Sequence, residues 1–389
     1  MNLLIQSFII YTLTAILMYI LALSAFKKSN NVLQVRYKNS FPKEYLWIIL
    51  IFVVISGFRY DVGVDHLSYL ETYLTALKGQ DFLRGRGIEE GYYFVTRAFA
   101  YLNIHPTIYF GFLSALQIGF VMFAIKDEKI IAPYVVLLIM LGGHYFTWMN
   151  GMRQMIAACT YFLGINFIKD KKFVPFLLCA IFAYLWHHSS VLMLPFYLFA
   201  YSNKVWNKNW INITVFLMCV IIGVTPTWID RLTQLSTVLT VIGYDYYSNM
   251  MEEVLDTSNV EMFNIGPRYL LTFLSYFLVI LFYPNVRKNI KAPKFDLYFK
   301  FYFIGVCLYY LFVNAGLLFL RPVYYFTIFS LPVTAYTLYY LHINRSKKMI
   351  FYLLLLVATM TFTYISCLSD YRTPIGDRKS YLYQFYFNQ

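Results

Sequence analysis

The feature that most constrains this chain is a series of twelve apolar runs, which follow one another from position 3 to position 368. Nine of them approach the roughly 20 residues that a helix needs to cross a bilayer: 3–25, 106–125, 130–146, 152–168, 211–229, 266–284, 298–314, 322–341 and 349–368. Three shorter runs span 45–58, 173–186 and 189–201. The sequence therefore predicts an all-α, polytopic integral membrane protein with about 12 transmembrane helices in one domain over residues 1–389.

The composition excludes the main soluble alternatives. Of the 389 residues, 60% are hydrophobic and only 13% are charged, whereas about a quarter of a soluble domain is charged. This argues against a water-soluble enzyme and against a disordered chain. The five cysteines all lie inside apolar runs without a CxxC spacing, so neither a disulfide framework nor a zinc site is indicated. We expect no cofactor and no metal.

The basic residues predict the orientation, because cytoplasmic loops of membrane proteins are enriched in Lys and Arg. The expected cytoplasmic loops are 26–44, 126–129, 169–172, 202–210, 285–297 and 342–348. The outer face would carry the segments 59–105, 230–265 and 369–389, with both termini outside. The net charge of +13 thus comes from basic residues in short clusters between the apolar runs. This distribution argues against nucleic acid as a partner. Residues 173–201 are either two short helices or one re-entrant hairpin, and both alternatives place His187 and His188 toward the outer side.

Most arginines fall on the predicted outer side, against the trend that orients the chain. Arg has a planar fork of donors that suits phosphate and carboxylate groups. Salt bridges are expected for Arg84, Arg86 and Arg97, with Asp81, Glu89 and Glu90 as nearby acids. Arg153, Arg268 and Arg321 abut helix ends with few acids nearby in sequence. For these three, an anion site and a salt bridge remain alternatives.

The first predicted outer segment begins FRYDVGVDHLSYLETY and combines an arginine, Arg59, with the carboxylates of Asp61 and Asp65. A helix starting at Asp65 would place Asp65, Tyr69 and Tyr73 on one face. This set suits an anion or sugar site near the membrane surface. Alternatively, Asp65 only caps the helix.

Two later segments place polar side chains at the outer ends of apolar runs. In WMNGMRQM, Asn150, Arg153 and Gln154 are spaced to share one helical face, facing either a cavity or a neighbouring helix. In YLWHHSSVLMLP, His187 and His188 are able to exchange protons near neutral pH. Packed histidines are the alternative, and a metal site would need further ligands. A Ser–His pair cannot be inferred, because adjacent side chains on a helix point apart.

Aromatic residues mark two expected contacts with the membrane interface. The stretch that begins Glu89–Glu90–Gly91–Tyr92 is amphipathic and is predicted to lie along the interface. The tail is rich in aromatic side chains, namely Tyr371, Tyr381, Tyr383, Phe385, Tyr386 and Phe387. Interfacial anchoring is the favoured interpretation of the tail, and stacking on sugars is the alternative.

Taken in order, these pieces resemble the EpsG family of polysaccharide polymerases, which is related to the Wzy polymerases. The matching residues are Arg59 with Gly63, Asp65 and Tyr69; Glu90–Gly91–Tyr92; Asn150 with Arg153 and Gln154; His187 with Ser189; and Arg321 with Tyr325. The resemblance covers nearly the whole chain. The doubled histidine departs from the pattern, so either His187 or His188 takes the family role, although His187 fits the His-x-Ser spacing better.

The resemblance implies a glycosyltransferase of the bacterial cytoplasmic membrane, with GT-C-like helical architecture, that lengthens glycans on undecaprenyl diphosphate at the outer leaflet. The product would be exopolysaccharide, capsule or O-antigen. The implied partners are the lipid-linked glycan, the bilayer and assembly proteins such as a flippase and a chain-length regulator. Either Asp65 or His187 would be the base. The expected substrate-binding residues are Arg59, Asp61, Tyr69, Glu90, Asn150, Arg153, Gln154, His188, Arg268, Arg321 and Tyr325.

Two other classes remain possible from the sequence. A flippase or transporter of lipid-linked glycan would need charges deep in several helices or paired broken helices, whereas the polar residues here concentrate at one face. A membrane acyltransferase that modifies sugars also uses His and Arg, but it would draw its acyl donor from the cytoplasmic side.

Overall fold

The computed structural model describes residues 2–30, 41–80, 88–195, 208–225, 228, 266–314, 317–369 and 381–388. The described chain falls into two compact units, Met1–Leu194 with Thr334–Gln389, and Pro195–Val333. A single membrane domain over 1–389 stays a prediction. The predicted outer segment 230–265 and most of 369–389 lie outside the described residues.

The described residues are almost entirely helical. The first part of the chain contains α1 (Leu3–Asn30), α2 (Lys43–Gly57), β1 (Arg59–Tyr60), α3 (His66–Leu77), α4 (Glu90–Tyr101), α5 (Pro106–Ala124), α6 (Ala132–Leu141), α7 (His144–Asn150), α8 (Met152–Lys169), α9 (Phe173–Trp186) and a 3-10 helix (His188–Met193). There follow α10 (Asn209–Gly223), α11 (Pro267–Asn289), α12 (Phe295–Phe312), α13 (Leu317–Leu320), α14 (Tyr324–Thr327), α15 (Ser330–Ile343), α16 (Lys347–Ser369), β2 (Gln384–Phe385) and a second 3-10 helix (Tyr386–Asn388).

Five described helices are long and apolar enough to cross a membrane, namely α1, α5, α11, α12 and α16. The pair α6 and α7 would make a sixth if it is counted as one bent span. The all-α, membrane-embedded class is therefore confirmed. The described residues support five or six spans, and the count of about 12 stays a prediction. Helices α2, α9 and α10 have only 14 or 15 residues, which is short of the roughly 20 that a bilayer requires.

The predicted run 130–146 is not one helix, because two glycines interrupt it. Helix α6 ends at Leu141, Gly143 has a φ of 82°, and α7 leaves at 61° to α6. This left-handed backbone conformation is readily accessible to glycine and costly for other residues. A second break follows at Gly151 between α7 and α8. The spacing of Asn150 and Arg153 had predicted that they share one helical face. This prediction is wrong, because the two residues lie on different helices.

In the first unit, α5 lies between α2 and α8, α1 packs against α2 and α6, and α9 packs against α8. The two ends of these helices differ in chemistry. At one end, Lys28 pairs with Glu44, so the C-terminus of α1 meets the N-terminus of α2. At the other end, α2 continues into β1 and the loop before α3. Asp65, Glu89 and His187 lie at this second end, each directly before or after a helix.

The last described segment of the tail is built into the first unit. Strand β2 pairs antiparallel with β1, so that Arg59 lies opposite Phe385 and Tyr60 opposite Gln384. Tyr383 is fully buried, and its hydroxyl donates a hydrogen bond to the carbonyl of Ile55 at 2.9 Å. Interfacial anchoring is therefore the wrong interpretation for Tyr383, which packs inside the protein.

We expect Tyr383→Phe to lower the free energy of unfolding by about 1 kcal/mol, which is typical for the loss of one buried hydrogen bond. Thermal unfolding of the purified protein in detergent measures the change. The matched control is Tyr101→Phe, because Tyr101 is 90% exposed. Equal melting temperatures for Tyr383→Phe and the wild type would show that this hydroxyl contributes nothing.

Candidate functional site

Residues from four separate parts of the first unit make contacts with one another: Arg153 and His187 approach the buried Glu89 carboxylate, and Asn150 accepts a hydrogen bond from the backbone of Asp65. Asp65 precedes α3, Glu89 precedes α4, Asn150 and Arg153 flank the α7–α8 junction, and His187 follows α9. We call these five residues the polar cluster. All five stand at helix ends, where the backbone turns and side chains from different helices are able to converge.

The centre of the polar cluster is the pair formed by Glu89 and Arg153. Glu89 Oε2 accepts a hydrogen bond from Arg153 Nη1 at 2.5 Å. The Glu89 side chain is only 7% exposed, whereas that of Arg153 is 28% exposed. Although few acids lie near Arg153 in sequence, one lies against it in space. The alternative of a salt bridge therefore holds for Arg153, and its exposed fraction leaves it accessible to a second anion.

Two aromatic rings hold the Arg153 guanidinium in place. Its central carbon lies 5.1 Å from the ring centroid of Tyr92 and 5.8 Å from that of Tyr69. Cation–π contacts of this kind contribute about 0.5–2 kcal/mol each. Tyr69 was predicted to share a helical face with Asp65. The structure places Tyr69 against Arg153, a member of the polar cluster.

The loop before α3 brings Asp65 to the α7–α8 junction. The backbone N–H of Asp65 donates to Asn150 Oδ1 at 3.2 Å. The loop turns at Gly63, where φ is 93° and an added Cβ would lie 3.4 Å from the carbonyl oxygen of Met149. Asp65 occupies the N-cap position of α3, but its side chain makes no capping hydrogen bond. Capping therefore does not account for the Asp65 carboxylate.

His187 approaches the other carboxylate oxygen of Glu89, the one that Arg153 does not contact. The backbone of His187 is extended, and the 3-10 helix that follows brings Ser189 Oγ to 2.8 Å from His187 Nδ1. His187 Nε2 lies 4.0 Å from Glu89 Oε1. The Ser–His contact that could not be inferred from an α-helix thus forms because the helix ends at Trp186.

The second histidine makes a separate and more exposed pair. His188 Nε2 lies 3.1 Å from Glu90 Oε2, and both side chains are about half exposed. The hydrogen bond from His188 holds the pKa of the Glu90 carboxyl below its ordinary value. Of the two histidines, His187 therefore lies next to Glu89 of the polar cluster, while His188 pairs with Glu90.

A close approach of α4 to α9 aligns these two pairs. A Cβ added to Gly91 would lie 2.7 Å from the carbonyl oxygen of Leu185. Because only a glycine allows this approach, Glu89 and Glu90 come next to His187 and His188.

We expect Gly91→Ala to lower the free energy of unfolding by about 1–3 kcal/mol, as forced overpacking usually does. Gly119→Ala is the matched control. Gly119 lies within α5, nothing stands within 4 Å of its added Cβ, and Ala is favoured over Gly in a helix. Chemical unfolding in detergent compares the two, and a Gly91→Ala variant as stable as Gly119→Ala would contradict the close approach.

Of the three remaining predicted binding residues of the first unit, Arg59 and Gln154 are buried and Asp61 is half-buried. Arg59 is fully buried; it donates to the carbonyl of Ser56 at 2.9 Å and lies over the ring of Phe110. Gln154 is also buried. Asp61 has a φ of 49°, and its N–H donates to His66 Nδ1 at 3.1 Å. Arg59 and Gln154 expose almost no surface to a ligand in this structure.

The other predicted residues belong to the second unit. Arg321 follows α13 and is exposed, and Tyr325 is buried within α14. Arg268 lies in the first turn of α11, and its side chain is outside the described part of the structure. Their roles as binding residues stay predictions.

Sequence reasoning missed one member of the polar cluster. It assigned Glu89 to salt bridges with arginines near it in sequence, whereas Glu89 pairs with Arg153, 64 positions away. The only local signal was an acid directly before an amphipathic helix. Across the described ranges, no group of three or more His, Cys, Asp or Glu side chains is arranged to hold a metal ion.

Comparison with known proteins gives one match. The model of the EpsG family matches residues 44–385, which is nearly the whole chain. The match includes every member of the polar cluster. No curated protein and no solved structure matches, so the GT-C-like architecture stays a prediction.

Proposed function

Because the chain belongs to the EpsG family, a Wzy-like family of polysaccharide polymerases, we propose that it joins undecaprenyl-diphosphate-linked oligosaccharide units into a longer glycan. The reaction would take place at the outer face of the bacterial cytoplasmic membrane, and the product would be exopolysaccharide, capsule or O-antigen. In this proposal the chain is a glycosyltransferase whose donor is the lipid-linked glycan and which needs no nucleotide sugar.

The observation that carries the proposal is that Arg153 and His187 approach the two different carboxylate oxygens of Glu89. A polymerase of this class needs a cation for the diphosphate leaving group and a proton acceptor for the attacking hydroxyl. Arg153 is partly exposed and offers a planar fork of donors that matches phosphate oxygens. The ordinary pKa of a histidine side chain lies close to neutrality, which suits His187 to proton transfer.

The proposed step is a displacement at the anomeric carbon of the donor glycan. The acceptor hydroxyl forms the new glycosidic C–O bond and gives its proton to His187 Nε2. The C–O bond to the diphosphate breaks, and the diphosphate leaves with the bonding electron pair. Arg153 stabilises the negative charge that grows on the diphosphate, which is electrostatic transition-state stabilisation. His187 Nε2 is able to accept a proton in the tautomer whose ring hydrogen is on Nδ1. In that tautomer, Nδ1–H donates a hydrogen bond to Ser189 Oγ.

Asp65, Tyr69 and Asn150 form the rest of the proposed binding surface. The Asp65 carboxylate makes no capping hydrogen bond to α3 and is partly exposed, so we assign it to sugar hydroxyls. Asn150 holds the backbone of Asp65. Tyr69 keeps Arg153 in position. Asp65 remains the second candidate for the base.

The proposed function is tested with purified full-length protein and synthetic lipid-linked repeat units in detergent or liposomes. A ladder of longer glycans should form without nucleotide sugar, acyl donor or ion gradient. Movement of the lipid-linked glycan between leaflets without chain growth would identify a flippase. Growth or modification that requires an acyl donor would identify an acyltransferase.

The proposed orientation is tested by labelling single cysteines in intact cells, in a variant that lacks the five native cysteines. A cysteine at position 256 should react with an impermeant thiol reagent, and one at position 291 should not, because the lysine-rich segment 285–297 is expected inside. Position 291 reacting while position 256 stays unlabelled would reverse the orientation.

A further inference from the structure

We propose that Glu89 is a positioning residue that couples the diphosphate-binding arginine to the base, an inference that rests on the proposed function. Through one carboxylate oxygen, Glu89 fixes Arg153. Through the other, it stabilises the positive charge that His187 acquires when it accepts the proton. One side chain would then act on both halves of the reaction, leaving-group departure and proton transfer.

The two contacts use different oxygens of the same carboxylate. Oε2 accepts the hydrogen bond from Arg153 Nη1 at 2.5 Å, and Oε1 lies 4.0 Å from His187 Nε2. A fixed carboxylate with both oxygens directed at functional groups differs from a flexible surface acid. The side chain is 7% exposed, so its orientation is set by the protein and not by solvent.

The separation of 4.0 Å is longer than a hydrogen bond. Glu89 therefore acts on His187 through its charge and does not take the Nε2 proton. An opposite charge within about 4–6 Å favours the charged form of a titratable group. Glu89 should accordingly raise the basicity of His187, and burial strengthens this effect because little water screens the interaction.

Several other groups contribute to the charge around His187. Arg153 of α8 is paired with Glu89 and opposes protonation of the imidazole, while its own charge is balanced by the same carboxylate. Tyr69 of α3 and Tyr92 of α4 stack on Arg153 and are neutral phenols near pH 7. Ser189 contacts Nδ1 and carries no charge. Among the described residues, the Glu89 carboxylate lies within ion-pair distance of His187.

The neighbouring pair provides a matched control within the same two helices. Glu90 and His188 also form an acid–histidine contact, at 3.1 Å, but both side chains are about half exposed. If an acid beside a histidine mattered only for holding α4 against α9, Glu90→Gln and Glu89→Gln should have similar effects. The proposal instead predicts that only Glu89→Gln lowers the pKa of His187.

The experiment measures the pH–rate profile and the KM for the lipid-linked unit in full-length Glu89→Gln, Glu89→Asp and Glu71→Gln. In Glu89→Gln, the acidic limb should move to lower pH by about one unit or more, because a neutral amide no longer favours the imidazolium. The KM should rise about tenfold or more as Arg153 loses its partner. Glu89→Asp keeps the charge and should keep the acidic limb near its wild-type position. Glu71→Gln removes an exposed acid of α3 and should match the wild type in both quantities.

A second readout does not depend on turnover. The pKa of His187 is followed by NMR of ring-labelled histidine in detergent, with the signal assigned by its absence from His187→Gln. This pKa should fall in Glu89→Gln and not in Glu90→Gln. A wild-type acidic limb, KM and His187 pKa in Glu89→Gln, with only a lower melting temperature, would show that Glu89 is a purely structural partner and would overturn the proposal.

The two readouts separate failure of this inference from failure of the proposed function. If the wild type extends no glycan, the polymerase proposal fails, and the NMR titration still decides whether Glu89 controls His187. If the wild type polymerises and Glu89→Gln behaves like it in both readouts, the polymerase proposal stands and the role of Glu89 is rejected.

Discussion

Replacing His187 by Gln should lower the rate of polymerisation by about a hundred- to ten-thousandfold, which is the range for removal of a general base. The acidic limb of the pH–rate profile should disappear with it. Below its pKa of about 6.5, a histidine base is protonated and inactive, whereas Gln has no group that titrates there. Gln keeps a similar volume and an amide able to contact Ser189, so the 3-10 turn should be retained.

The comparison with Asp65→Asn decides which residue is the base. If His187 accepts the proton and Asp65 binds sugar, Asp65→Asn should raise the KM and keep the acidic limb. Loss of the limb in Asp65→Asn alone would exchange the two roles. His342→Gln is the control and should be nearly neutral, because His342 is exposed in the last turn of α15. A normal rate with an unchanged limb in His187→Gln would reduce that histidine to a packing residue.

Replacing Arg153 by Lys should lower activity by about ten- to a hundredfold, although the charge is kept. The loss of one charge-assisted contact typically costs about 1.5–3 kcal/mol. A lysine ammonium is a point charge and cannot hold Glu89 and a diphosphate with the two arms of one planar group. The measurement is the initial rate of chain growth at several concentrations of the lipid-linked unit, on protein whose folding has been checked by its melting temperature.

The matched control for this change is Arg97→Lys. Arg97 lies on the same helix as Tyr92 but is exposed, so we expect its replacement to be nearly neutral. Arg321→Lys applies the same test to the second unit, where the side chain is exposed and its binding role is a prediction. Arg153→Lys and Arg321→Lys variants that are folded and fully active would reject diphosphate binding by these arginines.

The helical class could be predicted because it depends on local patterns. Apolar runs gave the approximate positions of α1, α5, α8 and α16, and the spacing of Asp65, Tyr69 and Tyr73 anticipated α3. The breaks at Gly143 and Gly151 were not anticipated, because a glycine within an apolar run is compatible with either a helix or a turn. Packing of the surrounding helices decides between the two.

The residues of the candidate site could also be predicted only in part from the sequence. Asp65, Arg153 and His187 could be singled out because a charged or titratable side chain at the end of an apolar run is unusual and costly. Their neighbours could not be identified in the same way. Arg59 looked like an accessible cation, but its guanidinium is enclosed between Ser56 and Phe110. Tyr383 looked like an interfacial anchor, but the pairing of β2 with β1 carries it into the protein.

The sequence by itself determined that this protein is a helical membrane protein with polar side chains gathered at the ends of its helices, since helical period and apolar length are properties of neighbouring residues. Only the tertiary structure decided that Glu89 stands between Arg153 and His187. In the sequence, Glu89 is 64 positions from Arg153 and 98 positions from His187, so no local pattern relates the three residues. The close approach of α4 to α9 at Gly91 and the turn at Gly151 bring them together. That approach places the buried carboxylate beside both the cation and the histidine.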